Sequence, residues 1–471
     1  MAGLRQILGP AAAAACASPR CARRLCAHLL AGLVAPCRRT IANLICVCGR
    51  AQADWTADYR LYSRERVDPT LLFRHALRAV EGQLRPLAPL VVAIDDTLVR
   101  KSGSHIFGVG YKRDPLGPAF QTNLVRGQRF VQLAAAWPGP DGQAQMIPID
   151  FTHAPTPKKP GKRATAIQRQ VYKEQQKQQR LNVVACARIN QLRDCVDATR
   201  RLIICGDGGY TNGEIVGRTL PNTVYIGRIR KDAVLHALPG ARGPTGRPPS
   251  YGPEVPTPEQ LRTDPSVPWQ TVSGWAAGRR HEFKVKTFAA PVLWRKSGAD
   301  HPLRVVVIAP IGYRLRQGSR LLYRQPAFLI CTDPDLPLEE MLQAYLWRWG
   351  IEVAFRDEKS LLGTGEAQVR GAAANRTQPA VTVAAYAFLW IAALKMMAGG
   401  AAPATLRPPK WRRRHKDAPP STGDLLRALR CELWAPQLDP ESFSHFVSEV
   451  PADATTQKPI PSLSHAILAA A

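Results

Sequence analysis

Hydrophobic positions follow two different periods along the chain, and together they predict a mixed α/β fold. Residues 1–85 alternate Ala, Leu and Cys with Arg, which is typical of helices. Within them, "DPTLLFRHALRAVEGQL" begins with Asp68 and Pro69, a helix-start signal. Short runs rich in β-branched residues follow, "LVVAI" at 90–94 and "LIIC" at 202–205, and such runs are typical of buried strands.

Further patterns place more strands and one long helix. "FVQLAAAWP" (130–138) and "QMIPIDFTH" (145–153) flank the turn signal "GPDG" and predict a hairpin. Several strand-like runs lie within residues 222–325, interrupted by a Pro/Gly-rich loop. Helical periodicity then extends over residues 335–363, with acidic residues in the first turn and Gly363 as the expected stop.

These changes of pattern divide the chain into five segments. They are a helical N-terminal region (1–85), the first part of an α/β core (86–221), a β-rich insertion (222–325), the second part of the core (326–400), and a basic loop with C-terminal helices (401–471).

Two apolar stretches raise the question of a membrane or targeting segment. The Ala- and Arg-rich residues 1–24 superficially resemble a targeting peptide, but their apolar run is short, and we expect a weak helix instead. Residues 380–397 are interrupted by Lys395 and fall below the usual spanning length, so we expect a buried helix. The sequence therefore predicts no transmembrane segment.

The charge balance indicates a polyanionic partner. The 64 Lys and Arg residues against 36 Asp and Glu residues give a net charge of +28, which repels itself unless an anion is bound. Nucleic acid is the first candidate and an anionic membrane surface the second. Basic stretches at 158–180 and 407–416, the second with Trp411, favour DNA contact over merely solvated charge.

Cysteine usage favours a reducing compartment. Six of the 11 cysteines lie in the first fifty residues, and the odd total favours reduced thiols in a cytoplasm. Their spacing fits no common closed zinc site.

Three acidic positions suggest a metal centre. Asp95 and Asp96 follow the first buried strand, and Asp207 follows another. Carboxylates at the ends of neighbouring strands converge in an α/β sheet, and hard divalent cations prefer such oxygen ligands. Taken singly, each acid could equally serve a strand end or an Asp-Gly turn.

A helical face supplies the remaining chemistry. At about 100° per residue, Tyr345, Arg348, Glu352 and Lys359 fall within an arc of roughly 60°. A solvated, salt-bridged helix would also show this pattern, with Glu352 paired to Arg348 or Arg356.

The complete set resembles a known family. Tyr-x₂-Arg-x₃-Glu-x₆-Lys, here Tyr345, Arg348, Glu352 and Lys359, is similar to the YREK signature of insertion-sequence DDE transposases of the IS-four-type branch. "IDDT" (94–97) and "CGDGGYTNGEIV" (205–216) resemble the first and second catalytic motifs of that family. The β-rich insertion before the Glu is also similar, and the resemblance covers about residues 53–400.

The resemblance implies a ribonuclease H-like core and a set of roles. Asp96 is implied as the first metal ligand, with Asp95 as the competing choice, and Asp207 and Glu352 complete the set. Two Mg²⁺ (or Mn²⁺) ions are the implied cofactors. Tyr345, Arg348 and Lys359 are implied to hold phosphates, which matches their donor chemistry.

Other implications concern DNA and assembly. Trp349 is implied to stack on or accommodate a flipped base, with core packing as the equal alternative. The implied reaction is hydrolysis at the ends of a mobile element followed by strand transfer into target DNA. The implied partner is double-stranded DNA, bound by a homodimer in a bacterial cytoplasm without a membrane, and the N-terminal helices are implied to recognise the terminal repeats.

Two alternatives of different class stay open. A non-catalytic DNA-binding remnant would keep the fold without transposition. A metal-dependent nuclease or resolvase of the same fold would cut DNA without joining it.

Overall fold

The computed structural model describes most of the chain, namely residues 2–114, 117, 123–217, 220–240, 249–295, 301–316, 318–400 and 419–434. The predicted basic loop at 407–416, including Trp411, lies outside these residues, as do residues 241–248 of the Pro/Gly-rich loop.

Helices dominate the N-terminal region and recur after each group of strands. Their bounds are α1 Ala2–Ala15, α2 Pro19–Val34, α3 Ile41–Val47, α4 Thr56–Ser63, α5 Pro69–Glu81, α6 Ala166–Gln178, α7 Leu181–Cys195, α8 Gly213–Val216, α9 Pro258–Thr263, α10 Leu338–Trp347, α11 Gly350–Ser360, α12 Ala372–Ala398 and α13 Thr422–Trp434. As the sequence predicts, Asp68 caps α5, since its carboxylate accepts a hydrogen bond from the Thr70 backbone N–H at 2.9 Å.

Strands occupy the middle of the chain. Their bounds are β1 Leu90–Arg100, β2 Gly110–Arg113, β3 Leu124–Pro138, β4 Ala144–Ala154, β5 Leu202–Gly206, β6 Thr223–Arg228, β7 Leu235–His236, β8 Glu254–Val255, β9 Gln270–Ala276, β10 Arg279–Thr287, β11 Arg304–Ile308, β12 Gly312–Tyr313, β13 Leu322–Tyr323 and β14 Ala327–Cys331. The hairpin predicted around "GPDG" is confirmed as β3 and β4.

One large mixed sheet carries the fold. Its strand order is β2-β3-β1-β5-β6-β14-β11-β10-β9, with β4 pairing on β3. The contacts β1–β5 and β5–β6 are parallel, and the other pairs in this sheet are antiparallel. The predicted mixed α/β fold, a sheet flanked by helices with a helical N-terminal region, is confirmed and is consistent with a ribonuclease H-like core.

Segment 222–325 contributes four strands to this same sheet rather than building a sheet apart. The large sheet that contains β1 and β5 also includes β6, β9, β10 and β11. The pairs β7–β8 and β12–β13 form separate two-stranded sheets. The division of the chain into domains at these residues stays a prediction.

The two faces of the sheet have different helical covers. On β1, Leu90, Val92 and Ile94 belong to the core that contains the N-terminal helices and α12. Val91 and Ala93 point to the other face and share a second core with α10 and α11. This alternation decides which acidic side chain of β1 meets which helices, because successive strand residues face opposite ways.

Two predicted element ends are wrong. β1 does not stop at the acids but continues to Arg100, because Asp95 and Asp96 pair with Gln132 and Val131 of β3. The helix predicted over 335–363 is two helices, α10 and α11, separated at Arg348 and Trp349.

The break between α10 and α11 has a local cause. The backbone tightens there, since the N–H of Arg348 donates to the carbonyl of Tyr345 at 3.2 Å, a three-residue spacing. Gly350 follows directly and lies against β4. A Cβ at this position would lie 2.6 Å from Cγ of the buried Met146, so only glycine allows the second helix this approach.

The predicted buried helix is confirmed as α12, although it is longer than the apolar run suggests. It contains Pro379. Among the described residues, it is the single helix whose length and composition would allow it to cross a membrane. Its most apolar window is 67% buried within the protein. It packs on β4, α5 and α2 as a core helix.

We predict that Gly350→Ala destabilises the protein, because the added methyl group must displace Met146 or shift α11 from β4. Overpacking of this kind costs about 1–3 kcal/mol. Gly32→Ala is the matched control, since nothing lies within 4 Å of a Cβ at this position in α2. It should be neutral or stabilising by up to about 1 kcal/mol. Urea denaturation of both variants tests this, and equal unfolding midpoints would contradict it.

Candidate active site

Two parallel neighbouring strands, β1 and β5, bring the first acidic residues together. β1 and β5 run parallel, with Ile94 opposite Gly206, so Asp95 and Asp207 come next on neighbouring strands. The carboxylate of Asp207 is the second cause, after burial, that raises the pKa of Asp95. The sequence-based expectation that acids of these two strands approach one another matches this geometry.

Asp95 occupies an unfavourable electrostatic position. Burial, then repulsion from Asp207 and Asp96, raises its pKa to about 7, although the Asp96 backbone N–H donates to its Oδ1 at 2.8 Å. A carboxyl group in this state is half protonated near neutral pH. A nearby positive charge opposes this shift, and Arg348 lowers the pKa of Asp95 only in part.

Arg348 supplies such a charge and links Asp95 to the helix. Its Nη1 lies 3.8 Å from Oδ2 of Asp95, and its Nη2 donates to Oε1 of Glu352 at 3.2 Å. The guanidinium carbon lies 5.5 Å from the centroid of the Tyr345 ring, a cation–π contact. Arg348 is only 11% exposed, and this one buried cation thus joins three of the predicted site residues.

Asp96 points to the opposite face of the sheet and has its own partners. The Tyr210 hydroxyl donates to its Oδ1 at 2.9 Å, and Nε of Arg129 lies 3.1 Å from its Oδ2. Burial raises its pKa, and Arg129 and Tyr210 oppose that shift. Both oxygens of Asp96 therefore already have protein partners.

Asp207 is held by its own turn. Its Oδ1 accepts hydrogen bonds from the backbone N–H groups of Gly209 at 2.9 Å and Tyr210 at 3.2 Å. The expectation that Asp-Gly forms a turn here is therefore met. The turn fixes one oxygen and leaves Oδ2 without a protein hydrogen bond among the described residues.

Trp349 and Lys359 lie at exposed positions of the same two-helix unit. Trp349 is 59% exposed at the break between α10 and α11, which excludes core packing as its role. Lys359 lies at the exposed end of α11. Partial burial of its ammonium group, and then the nearby Arg100, lowers its pKa. The structure thus places a solvent-facing indole and a cation on either side of Glu352 in the chain.

A buried polar pair behind Asp95 was missed from the sequence. Gln132, which pairs with Asp95 across β1 and β3, donates from Nε2 to Oε1 of Glu358 at 3.0 Å. Both side chains are fully buried. The sequence does indicate two buried polar positions. Gln132 interrupts an apolar strand, and Glu358 falls on the apolar stripe of α11 with Ile351 and Phe355.

The donor chemistry of the cluster fits a hard divalent cation. Asp95, Asp207 and Glu352 offer carboxylate oxygens, and a cation would relieve the repulsion that raises the pKa of Asp95. Among the described residues, however, no three His, Cys, Asp or Glu side chains converge closely enough to hold a metal ion. Arg348 stands between Asp95 and Glu352 in this arrangement, which keeps the carboxylates apart.

We predict that Glu358→Gln changes how stability depends on pH. Burial raises the pKa of Glu358 from 4.5 to about 8, so the folded state keeps a proton that the unfolded state loses. Parental stability should then fall as pH rises from about 4.5 to 8, by up to about 5 kcal/mol from this group. The Gln variant should lack this component and be the more stable protein at pH 9.

Chemical denaturation at pH 5, 7 and 9 measures the effect. Glu174→Gln is the matched control, because Glu174 lies exposed on α6, and it should keep the parental pH dependence. Parallel stability curves for the parent and Glu358→Gln would contradict the prediction.

Comparison with known proteins identifies the family of the chain. A family model described as DDE superfamily endonuclease matches residues 14–299, a range that contains Asp95, Asp96 and Asp207 and ends before α10. No curated protein matches the chain significantly. Endonucleases of this superfamily act on DNA and generally use divalent metal ions. Since the match covers more than half of the chain, this protein belongs to the DDE superfamily of endonucleases.

Proposed function

We propose that this endonuclease is an insertion-sequence transposase of the YREK-bearing, IS-four-type branch. It cleaves DNA at the ends of a mobile element and joins the freed 3′ end to target DNA. The observation that carries the proposal is that Arg348, which is paired with Glu352, is buried and also reaches Asp95 beside Asp207. A solvated, salt-bridged helix would show the pairing with Glu352 but not this approach to the sheet. Three of the four signature residues, Tyr345, Arg348 and Glu352, contact one another there, and Lys359 lies at the far end of α11.

Asp95, rather than Asp96, is the proposed first metal ligand. The resemblance alone favours Asp96, but Asp96 faces away from α11 and both its oxygens are engaged by Tyr210 and Arg129. Asp95 faces α11, whereas Asp207 lies near both acids of β1, since its charge raises the pKa of each. In this proposal Asp96 is a positioning residue that fixes Tyr210 and the turn after β5.

Asp95, Asp207 and Glu352 are proposed to hold two Mg²⁺ or Mn²⁺ ions. Bound ions would supply activation of the attacking oxygen and stabilisation of the leaving oxygen. Arg348 then turns from the carboxylates to a DNA phosphate, for which its planar donor fork is suited. Tyr345 supports the guanidinium through its ring, and Lys359 adds a point charge at the far end of α11.

The remaining assignments follow from this function. The exposed indole of Trp349 stacks on a base near the cleaved strand. The N-terminal helices recognise the element ends, and two chains meet on DNA in a bacterial cytoplasm. A nuclease without joining activity is the second candidate, and strand-transfer products in vitro separate the two.

We predict that Asp95→Asn, Asp207→Asn and Glu352→Gln each reduce metal-dependent cleavage of DNA carrying the flanking repeats by at least about 10³-fold. The reason is that each change removes a proposed ion ligand. Gel analysis of cleaved and joined products in the presence of Mg²⁺ measures both steps. Lys284→Ala, an exposed cation on β10, is the matched control and should cleave normally.

The same assay distinguishes the two acids of β1. Asp96→Asn should lose less activity than Asp95→Asn, because it disturbs position rather than ligation. If Asp96→Asn is inactive while Asp95→Asn cleaves at the parental rate, the assignment of the first ligand is wrong.

We also predict that Mn²⁺ affinity rises between pH 6 and pH 8. A ligand whose pKa burial and Asp207 raise to about 7 must lose its proton before it binds. Electron paramagnetic resonance titration of the full chain without DNA measures free Mn²⁺ at each pH. Affinity that does not change over this range would contradict Asp95 as a ligand.

A further inference from the structure

A strongly basic segment protrudes from the protein and is not used by the active site. We call residues 158–180 the basic arm; it comprises a short loop, the helix α6 and the turn into α7. It contains a single carboxylate, Glu174, against eight cations: Lys158, Lys159, Lys162, Arg163, Arg169, Lys173, Lys177 and Arg180. Such a concentration of one charge produces a strong local positive potential.

The arm is folded but hardly packed. α6 has no buried residue, yet its start is fixed by a capping box in which the side chains and backbone of Thr165 and Gln168 exchange hydrogen bonds. Just before the arm, the Thr156 backbone N–H donates to the carbonyl of Gly108 at 2.9 Å. The arm is therefore anchored where it leaves the sheet and open to solvent along its length.

Sheet register places the root of the arm on the active-site side. Arg129 of β3 pairs with Leu98 of β1 and with Ala154 of β4. Ala154, the last residue of β4, is thus level with a residue three positions beyond Asp95. At about 3.3 Å per residue, Ala154 lies roughly 10 Å past Asp95 along the strand direction, and the arm begins four residues later in the chain.

The two faces of α6 differ in chemistry. Arg169, Lys173 and Lys177 fall within an arc of about 80°, and the exposed Ile167 and Val171 lie on the opposite side. In the described part of the chain, no ion pair joins an arm cation to a protein carboxylate. The cationic face is thus available to an external anion, whereas the opposite face presents the two exposed apolar side chains.

We propose that the cationic face of the basic arm binds the phosphate backbone of double-stranded DNA lying across the active-site end of the sheet. The identity of the polyanion rests on the proposed function; the charge and position of the arm do not. Regularly spaced cations on a rigid helix suit the regularly spaced phosphates of a duplex, and such contacts need no particular base sequence.

Salt dependence of binding tests the proposal. The full chain is titrated into a fluorescein-labelled duplex of arbitrary sequence, without divalent metal, at several salt concentrations. Each phosphate contact contributes about 0.9 to the slope of log affinity against log salt. Replacing all three cations (Arg169→Ala, Lys173→Ala, Lys177→Ala) should reduce the slope by about two to three and weaken binding at least about tenfold at 0.15 M salt.

The opposite face supplies the matched control. Ile167→Gln with Val171→Gln keeps every charge and should leave the slope and the affinity unchanged, and thermal unfolding confirms that both variants fold. An unchanged slope in the triple variant would overturn the proposal. Equal loss of DNA binding in the Ile167/Val171 variant would overturn it too, because contact through the apolar face would then be responsible.

The result does not depend on catalysis, because the binding assay contains no metal. If the chain binds DNA through the arm but never cleaves it, the proposed function is refuted and the proposed role of the arm in DNA binding stands. A chain that cleaves and joins DNA while the triple variant keeps its slope refutes the arm alone.

Discussion

Repulsion between neighbouring carboxylates, balanced by one buried cation, is the constraint on which the site depends. Asp95 and Asp207 lie on adjacent parallel strands because β1 and β5 pair in a fixed register. Arg348 offsets part of the resulting cost and at the same time connects the sheet to Glu352. The break between α10 and α11, with Gly350 pressed against Met146, sets where this cation stands. The fold thus fixes the spacing of charge before any ligand arrives.

Much of this arrangement could be predicted from the sequence. The strands around Asp95 and Asp207 are short apolar runs whose period is clear, and parallel neighbours bring their ends together. The start of α5 followed from Asp68 and Pro69, and α12 followed from its apolar run. These features depend on local chemistry and on the alternation of buried positions, both of which are visible in one dimension.

Other features depend on contacts between distant residues. Asp95 and Asp96 point to opposite faces of the sheet. Which of them meets α10 and α11 depends on which face those helices cover, and this cannot be seen in the sequence alone. The close approach of Gly350 to Met146 at the start of α11 joins positions 204 residues apart in the numbering. The hydrogen bond between Gln132 and Glu358 joins a strand to a helix. In the sequence, each of these residues is an isolated polar position within an apolar pattern, and nothing there links the two.

Direct observation of metal positions tests the central claim most sharply. Crystals of the full chain with Mn²⁺ would show them as peaks in an anomalous difference map. The account predicts density bounded by the carboxylates of Asp95, Asp207 and Glu352, with Arg348 turned away from them. Density against Asp96, or a well-occupied ion elsewhere with Asp95 and Glu352 still bridged by Arg348, would contradict it.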